Sequence, residues 1–208
     1  MPDSERLGTH YFPIQVGQFH IYEVEETNYY LIGPETENYQ LRVEAVDSVM
    51  LSSGEVQYTI HRSRRLDENS EWKLDSIWNT SVSLNKVVAN ENNVSFVKLV
   101  FPIDEGSEWD ANVFNSRSAE YYRYADQRSD TTLADQSYTQ TIRVIHSDEG
   151  FDSVGRDDRF EVYAPHAGLI YKEMHVWAYF QEDGQVDPNK IVSGRDLKQV
   201  LISYGQRD

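Results

Sequence analysis

The chain has 208 residues with 19 Lys and Arg against 35 Asp and Glu, a formal charge of −16, and no cysteine. So acidic a surface repels phosphate backbones and anionic head groups, and without thiols there is no disulfide framework, thiolate catalysis, zinc ribbon or iron–sulfur cluster. Its 4 Trp, 14 Tyr and 8 Phe supply an ample core, which excludes a disordered chain.

No run of about 18 apolar residues exists to span a bilayer as a helix. The opening Met1-Pro-Asp-Ser-Glu-Arg lacks the basic and apolar regions of a signal peptide. Residues 1–10 therefore read as an N-terminal tether or as the remnant left where a leader was replaced. A lipidated cysteine would then have stood just before Pro2. Residues 11–208 read as a single β-rich domain. Period-two alternation dominates it: Tyr39, Leu41, Val43 and Ala45 with polar residues between, then Val56, Tyr58 and Ile60, then Ile142 and Val144, then Phe160 and Val162 around Glu161. Each pattern describes a half-buried strand with one wet face. Residues 18–25, 93–101 and 169–180 are longer extended candidates. Residues 118–128 have the spacing of a short helix, the acidic stretch 147–158 reads as a surface loop, and residues 196–204 favour a closing strand over a helix. Gly33-Pro34, Ser52-Ser53-Gly54 and Glu182-Asp183-Gly184 are among the turn signals between them. The expected fold is mainly β: a single antiparallel β-sandwich or a half-barrel, lipocalin-like sheet, with one or two short helices.

Four segments, Asp47-Ser48-Val49, Asp75-Ser76-Ile77, Asp130-Thr131-Thr132 and Asp152-Ser153-Val154, match the O-glycosylation acceptor pattern of exported Bacteroidota proteins. Composition alone predicts about 0.7 such matches. Ser48, Ser76, Thr131 and Ser153 are therefore candidate acceptors, and the chain reads as exported.

Tyr11-Phe-Pro-Ile-Gln-Val-Gly-Gln-Phe-His-Ile-Tyr22 resembles the Tyr-Phe-Pro-Leu-x-x-Gly-x-x-Trp-x-Tyr opening of a family of Bacteroidota cell-envelope lipoproteins, with Phe19 where that family often has Trp. Phe101-Pro-Ile-Asp-Glu-Gly-Ser-Glu-Trp-Asp-Ala-Asn112, Tyr163-Ala-Pro-His-Ala-Gly-Leu-Ile-Tyr-Lys-Glu173 and the segment from Gly194 to Gly205 continue the likeness in the same order. The resemblance implies an extracytoplasmic, outer-membrane-associated protein held by a lipid anchor, and it implies no reaction.

No residue is nominated as catalytic or metal-binding. There is no Gly-x-Ser-x-Gly elbow, nucleotide-binding glycine motif, His-Glu-x-x-His or EF-hand order. Glu173 and His175 share one strand face, a two-ligand fragment where zinc needs at least three ligands. Asp148, Glu149, Asp152, Asp157 and Asp158 are a weak calcium candidate. Glu105, Glu108 and Asp110 surround Trp109, as acids beside a sugar-stacking ring would. Tyr29, Tyr30, Tyr121, Tyr122 and Tyr124, with Trp109, form a candidate ligand-binding rim, since tyrosine is rigid and amphipathic. Three functions follow in order. The first is a non-catalytic envelope lipoprotein binding a protein partner or surface glycan. The second is a carrier of a lipid-like ligand in a barrel cavity lined by residues such as Phe96, Leu99, Tyr171 and Trp177. The third is a glycan hydrolase with a carboxylate pair.

Overall fold

Strand pairing carries almost the whole chain. A computed structural model describes residues 4–133, 135–151 and 154–207. Twelve strands follow a short helix α1 (Ser4–Leu7) and a 3-10 turn (Thr9–Tyr11): β1 (Gln18–Tyr30), β2 (Gly33–Met50), β3 (Val56–Arg65), β4 (Lys73–Val82), β5 (Lys86–Glu91), β6 (Val94–Val100), β7 (Glu108–Asp110), β8 (Tyr121–Leu133), β9 (Gln136–Phe151), β10 (Gly155–Ala164), β11 (Gly168–Glu182) and β12 (Gln185–Gln206). The period-two signal is realised directly. On β1, Tyr22, Val24 and Glu26 are buried while Glu23 and Glu25 face solvent.

All twelve strands form one sheet in the order β6-β5-β4-β3-β2-β1-β12-β11-β10-β9-β8-β7. Every neighbour is also a sequence neighbour except β1 and β12, whose pairing stitches the two halves of the meander together. The outer strands then meet. The Val97 amide of β6 donates to the carbonyl of Ala111, just past β7, at 2.9 Å. The Trp109 indole N–H donates to Val97 O at 2.8 Å. Tyr124 on β8 reaches across to Val100, donating to its carbonyl at 2.6 Å and accepting from its amide at 3.1 Å.

The sheet is thus nearly closed into a barrel, and the sandwich alternative is corrected. Alternation says only that one face is dry. It does not say whether that face packs on a second sheet or on the far side of its own. Register shifts at Ile21/Tyr22, Ala45/Asp47 and Val162/Tyr163 sharpen the curvature.

Two local expectations change. Residues 118–128 hold no helix: Tyr121 onward is β8, with Tyr122 opposite Trp109 and Tyr124 opposite Val144. Tyr122 and Tyr124 are buried while Tyr121 is exposed, so the period of two prevails over the weak helical spacing. The acidic stretch is mostly the arms of the β9–β10 hairpin, with Asp158 opposite Asp148. Residues 4–11 coil into helical turns against the barrel end, where Leu7 O accepts from Ile103 N at 3.3 Å and His10 O from His166 N at 2.8 Å. Gly8, at φ +83°, allows that approach, since a Cβ there would meet the Ile103 side chain at 2.8 Å. Residues 196–204 lie within β12, as the alternation of Val200, Ile202 and Tyr204 implied.

The apolar interior divides in two. One cluster, including Leu99, Trp109, Tyr122, Tyr124 and Val144, fills the seam side. The other, including Tyr22, Leu41, Tyr138, Ile170 and Leu201, lies around the β1–β12 junction.

Candidate ligand-binding cavity

A cavity opens inside the sheet, and strand periodicity decides what lines it. Leu41, Val43 and Ala45 on β2, Ile60 and Arg62 on β3, Trp78 and Thr80 on β4, and Ala89 and Glu91 on β5 are each two residues apart, so each pair points to the same inner face. Phe12, Pro13 and Ile14, in the segment leading into β1, also line it. The cavity measures about 160 Å³ and is open to solvent on one side.

The wall is mainly apolar, but it carries a charged patch. Glu161 on β10 is 1% exposed and accepts hydrogen bonds from Lys98 Nζ at 2.7 Å and Tyr163 OH at 2.7 Å. Lys172 Nζ lies 3.3 Å from the same carboxylate, and His146 Nε2 approaches it at 3.4 Å. Lys98 also lies 3.6 Å from Glu91. Burial pushes the Glu161 carboxyl up, but Lys98, His146 and Lys172 outweigh that and hold it well below the carboxylate range. Glu91 moves the same way: burial is overcome by Lys98, Lys172 and Arg62. Lys98, although desolvated, is raised by Glu161 and Glu91. His146 is the exception, because burial prevails over Glu161 and lowers it to about 4. It stands neutral at pH 7, stacked on Tyr122 at 3.9 Å and 5°. His20, also on the wall, is lowered by burial and bonds the Ala167 carbonyl at 2.9 Å.

This arrangement can hold a ligand but is poorly suited to acid–base work. A carboxylate pair needs one member kept protonated, and both cavity carboxylates are held ionised by lysines.

The aromatic residues singled out from the sequence lie elsewhere. Trp109, Tyr122 and Tyr124 do come together, with Trp109 centred 4.8 Å from Tyr124 and 6.3 Å from Tyr122, but all three are buried in the seam core. Tyr29 donates to Asp196 Oδ2 at 2.7 Å, and Tyr30 is exposed at the end of β1. Tyr121 is exposed on β8, and four strands separate β8 from β1 in the sheet. Glu105 and Glu108 are exposed, while Asp110 accepts the amides of Asn112 and Glu120 at 2.9 and 3.0 Å. Three acids of the calcium candidate are held by arginines, Asp148 by Arg123, Asp157 by Arg159 at 2.5 Å and Asp158 by Arg156 at 2.9 Å, while Glu149 is exposed. Asp152 lies outside the described residues, and among those described no group of three or more His, Asp or Glu side chains is arranged to hold a metal ion. The residues expected to line a carrier cavity do not: Leu99 is fully buried in the seam core, Phe96 lies beneath Arg117, and Tyr171 borders a separate groove with Phe160. Trp177 lies against Tyr29 and His175.

Of the candidate acceptors, Ser48 is exposed on β2, and Ser76 and Thr131 are half-buried on β4 and β8. Ser153 lies outside the described residues.

Glu173 and His175 do share a face, and β12 adds Asp196. His175 Nδ1 meets Asp196 at 2.7 Å and Nε2 meets Glu173 at 2.8 Å, so both ring nitrogens are engaged by carboxylates rather than left for a metal. Burial lowers the imidazole, but the two carboxylate hydrogen bonds raise it further, to a net increase. A histidine raised above its ordinary 6.5 adds stability that is present below that pH and lost as pH rises through the folded value. An NMR titration of the His175 ring should show a midpoint above 6.5, and Asp196→Asn should bring it down.

The residues of the charged patch were not foreseen. Glu161, between Phe160 and Val162, reads as the wet side of a strand, and Lys98 sits inside the run Val97-Lys98-Leu99-Val100. The lysine within an apolar run was the available signal. In a barrel with a cavity, the polar positions of a strand can be the inward ones.

No protein-family model and no curated protein matches the chain. Among solved structures, a protein assigned as a lipoprotein from Parabacteroides distasonis aligns at TM-score 0.49 and 9% identity, covering 94% of this chain and 98% of the other. A protein assigned as exported, with a YmcC-like fold, from Bacteroides fragilis gives 0.49 and 10% identity over the same shares. Likeness at this level transfers no function.

Proposed function

We propose that the protein is a non-catalytic cell-envelope protein that carries one amphiphilic molecule in its barrel. The observation that supports this is the cavity, an apolar wall of Leu41, Val43, Ile60 and Trp78 kept unfilled inside a sheet that could have packed solid. The volume favours a single chain: a dry cavity of roughly 150 Å³ already takes up one benzene. The ionised state of Glu91 and Glu161 supports binding over hydrolysis. Burial of Trp109, Tyr122 and Tyr124 leaves an aromatic glycan rim less well supported than an interior site. The envelope location rests on the four acceptor-like segments and on the lipoprotein-like motifs of the sequence, with Ser48 exposed as an acceptor must be.

Uptake of the apolar fluorophore N-phenyl-1-naphthylamine tests the reading. The protein should bind one equivalent, and decanol should displace it. Ala89, buried on β5 with its methyl on the cavity wall, allows the site to be plugged. Ala89→Phe should weaken uptake at least tenfold while circular dichroism shows the sheet retained. Uptake that the plug leaves unchanged, or no uptake at all, contradicts the proposal.

A further inference from the structure

The charges facing the cavity do not balance. Arg62, Lys98 and Lys172 line it against only Glu91 and Glu161. These groups form one patch, since the Glu91 carboxylate feels Lys98, Lys172, Glu161 and Arg62 together. His146, beside Glu161, and His20, on the wall, are both lowered by burial and contribute no charge at neutral pH. Lys98 is fully engaged, lying between Glu161 at 2.7 Å and Glu91 at 3.6 Å. Lys172 shares Glu161 with it at 3.3 Å. Arg62 is different. Its guanidinium lies over the Trp78 ring at 3.8 Å, and among the described residues it makes no hydrogen bond and no ion pair. Glu91 and Asp75 act on it only from beyond ion-pair distance.

A half-buried guanidinium facing a largely apolar cavity, with no carboxylate in contact, is stabilised by an anion brought to it there. Guanidinium offers a planar fork of N–H donors that matches a carboxylate or phosphate, and its back face is already seated on an aromatic ring. The apolar strip of Leu41, Val43 and Ile60 lines the same cavity and suits a hydrocarbon tail.

We infer that the barrel's ligand is a single-chain amphiphile with an anionic head, a carboxylate or phosphate monoester, seated against Arg62 and Lys172. The inference rests on the cavity being a ligand site, and its test separates the two. Binding of decanoate, decyl phosphate and decanol, three heads on one chain length, is measured by fluorophore displacement in the wild type, Arg62→Gln and Glu91→Gln. The wild type should bind at least one of the two anions tenfold or more tighter than decanol, and the tighter anion identifies the head. Arg62→Gln should cut that preference to twofold or less, and Glu91→Gln, which adds to the positive excess, should enlarge it. Damage to the fold would lower both, so opposite movements mark an electrostatic cause. Equal affinity for anions and alcohol in the wild type, or a preference untouched by Arg62→Gln, overturns the anionic head and leaves the cavity reading standing. Failure of all three probes to bind overturns both.

Discussion

Replacing Glu161 by alanine is expected to destabilise the protein by about 3–5 kcal/mol, because it removes the nearer carboxylate from buried Lys98, which keeps only Glu91 at 3.6 Å, and the carboxylate that Lys172 shares. Lys98 is 7% exposed and Glu161 1%, and the carboxylate also receives Tyr163 OH at 2.7 Å. Against a total stability of roughly 5–15 kcal/mol, that loss removes much of the margin. Removing both charges, as Lys98→Met with Glu161→Leu, should recover a large part of it, since the pair's net worth is far smaller than the cost of breaking it. Urea denaturation of the three proteins measures the difference.

The same patch sets the acid response. His146 has a folded value of about 4 against an ordinary 6.5, so the unfolded chain takes up the proton first. The contribution of His146 is therefore full above 6.5 and falls as pH drops from 6.5 to about 4, by about 3 kcal/mol. Glu161, held well below 4.5, contributes further stability that is present above the unfolded value and lost at still lower pH, as pH falls through the folded one. His146→Phe keeps a ring against Tyr122 and should flatten the first part of that profile. A melting temperature of the wild type that stays constant from pH 7 to 4 would contradict this account.

Trp109→Ala should cost about 3–5 kcal/mol through the cavity it leaves in the seam core. Its indole packs 4.8 Å from the Tyr124 ring and also closes the barrel through its N–H bond to Val97 O. Trp109→Phe retains most of the ring volume and loses the hydrogen bond, so about 1 kcal/mol is expected. The seam gives a local readout besides global stability. The Val97 amide, bonded to Ala111 O at 2.9 Å, should exchange with solvent much faster in Trp109→Ala, whereas amides of the long β1–β12 ladder should follow only the global loss.

How much of this was legible beforehand depends on whether a feature is local. The alternation of Tyr39, Leu41, Val43 and Ala45 is written in consecutive residues, and β2 follows it with Leu41 and Ala45 buried. The pairing of β1 with β12 and the meeting of Val97 with Ala111 join residues distant in sequence or across a loop, and no short pattern announces them. Hence barrel and sandwich stayed indistinguishable. Adjacent tyrosines show the same limit: Tyr121 and Tyr122 carry one identity, yet strand geometry sends the first outward, 59% exposed, and the second into the core at 4%. The site itself was least visible. Glu161 has the composition of a wet strand position, and only the curvature of the sheet turns that face inward, where Lys98 and Lys172 meet it.

The proposed carriage requires a hydrocarbon chain inside the barrel. Isotope-filtered NMR of the labelled protein with unlabelled decanoate tests it directly. Cross-peaks from the decyl chain should reach Leu41, Val43, Ile60 and the Trp78 indole, which line the cavity. Cross-peaks confined to Phe160, Val162 and Tyr171, which border the separate groove, would place the ligand outside the cavity and contradict the account.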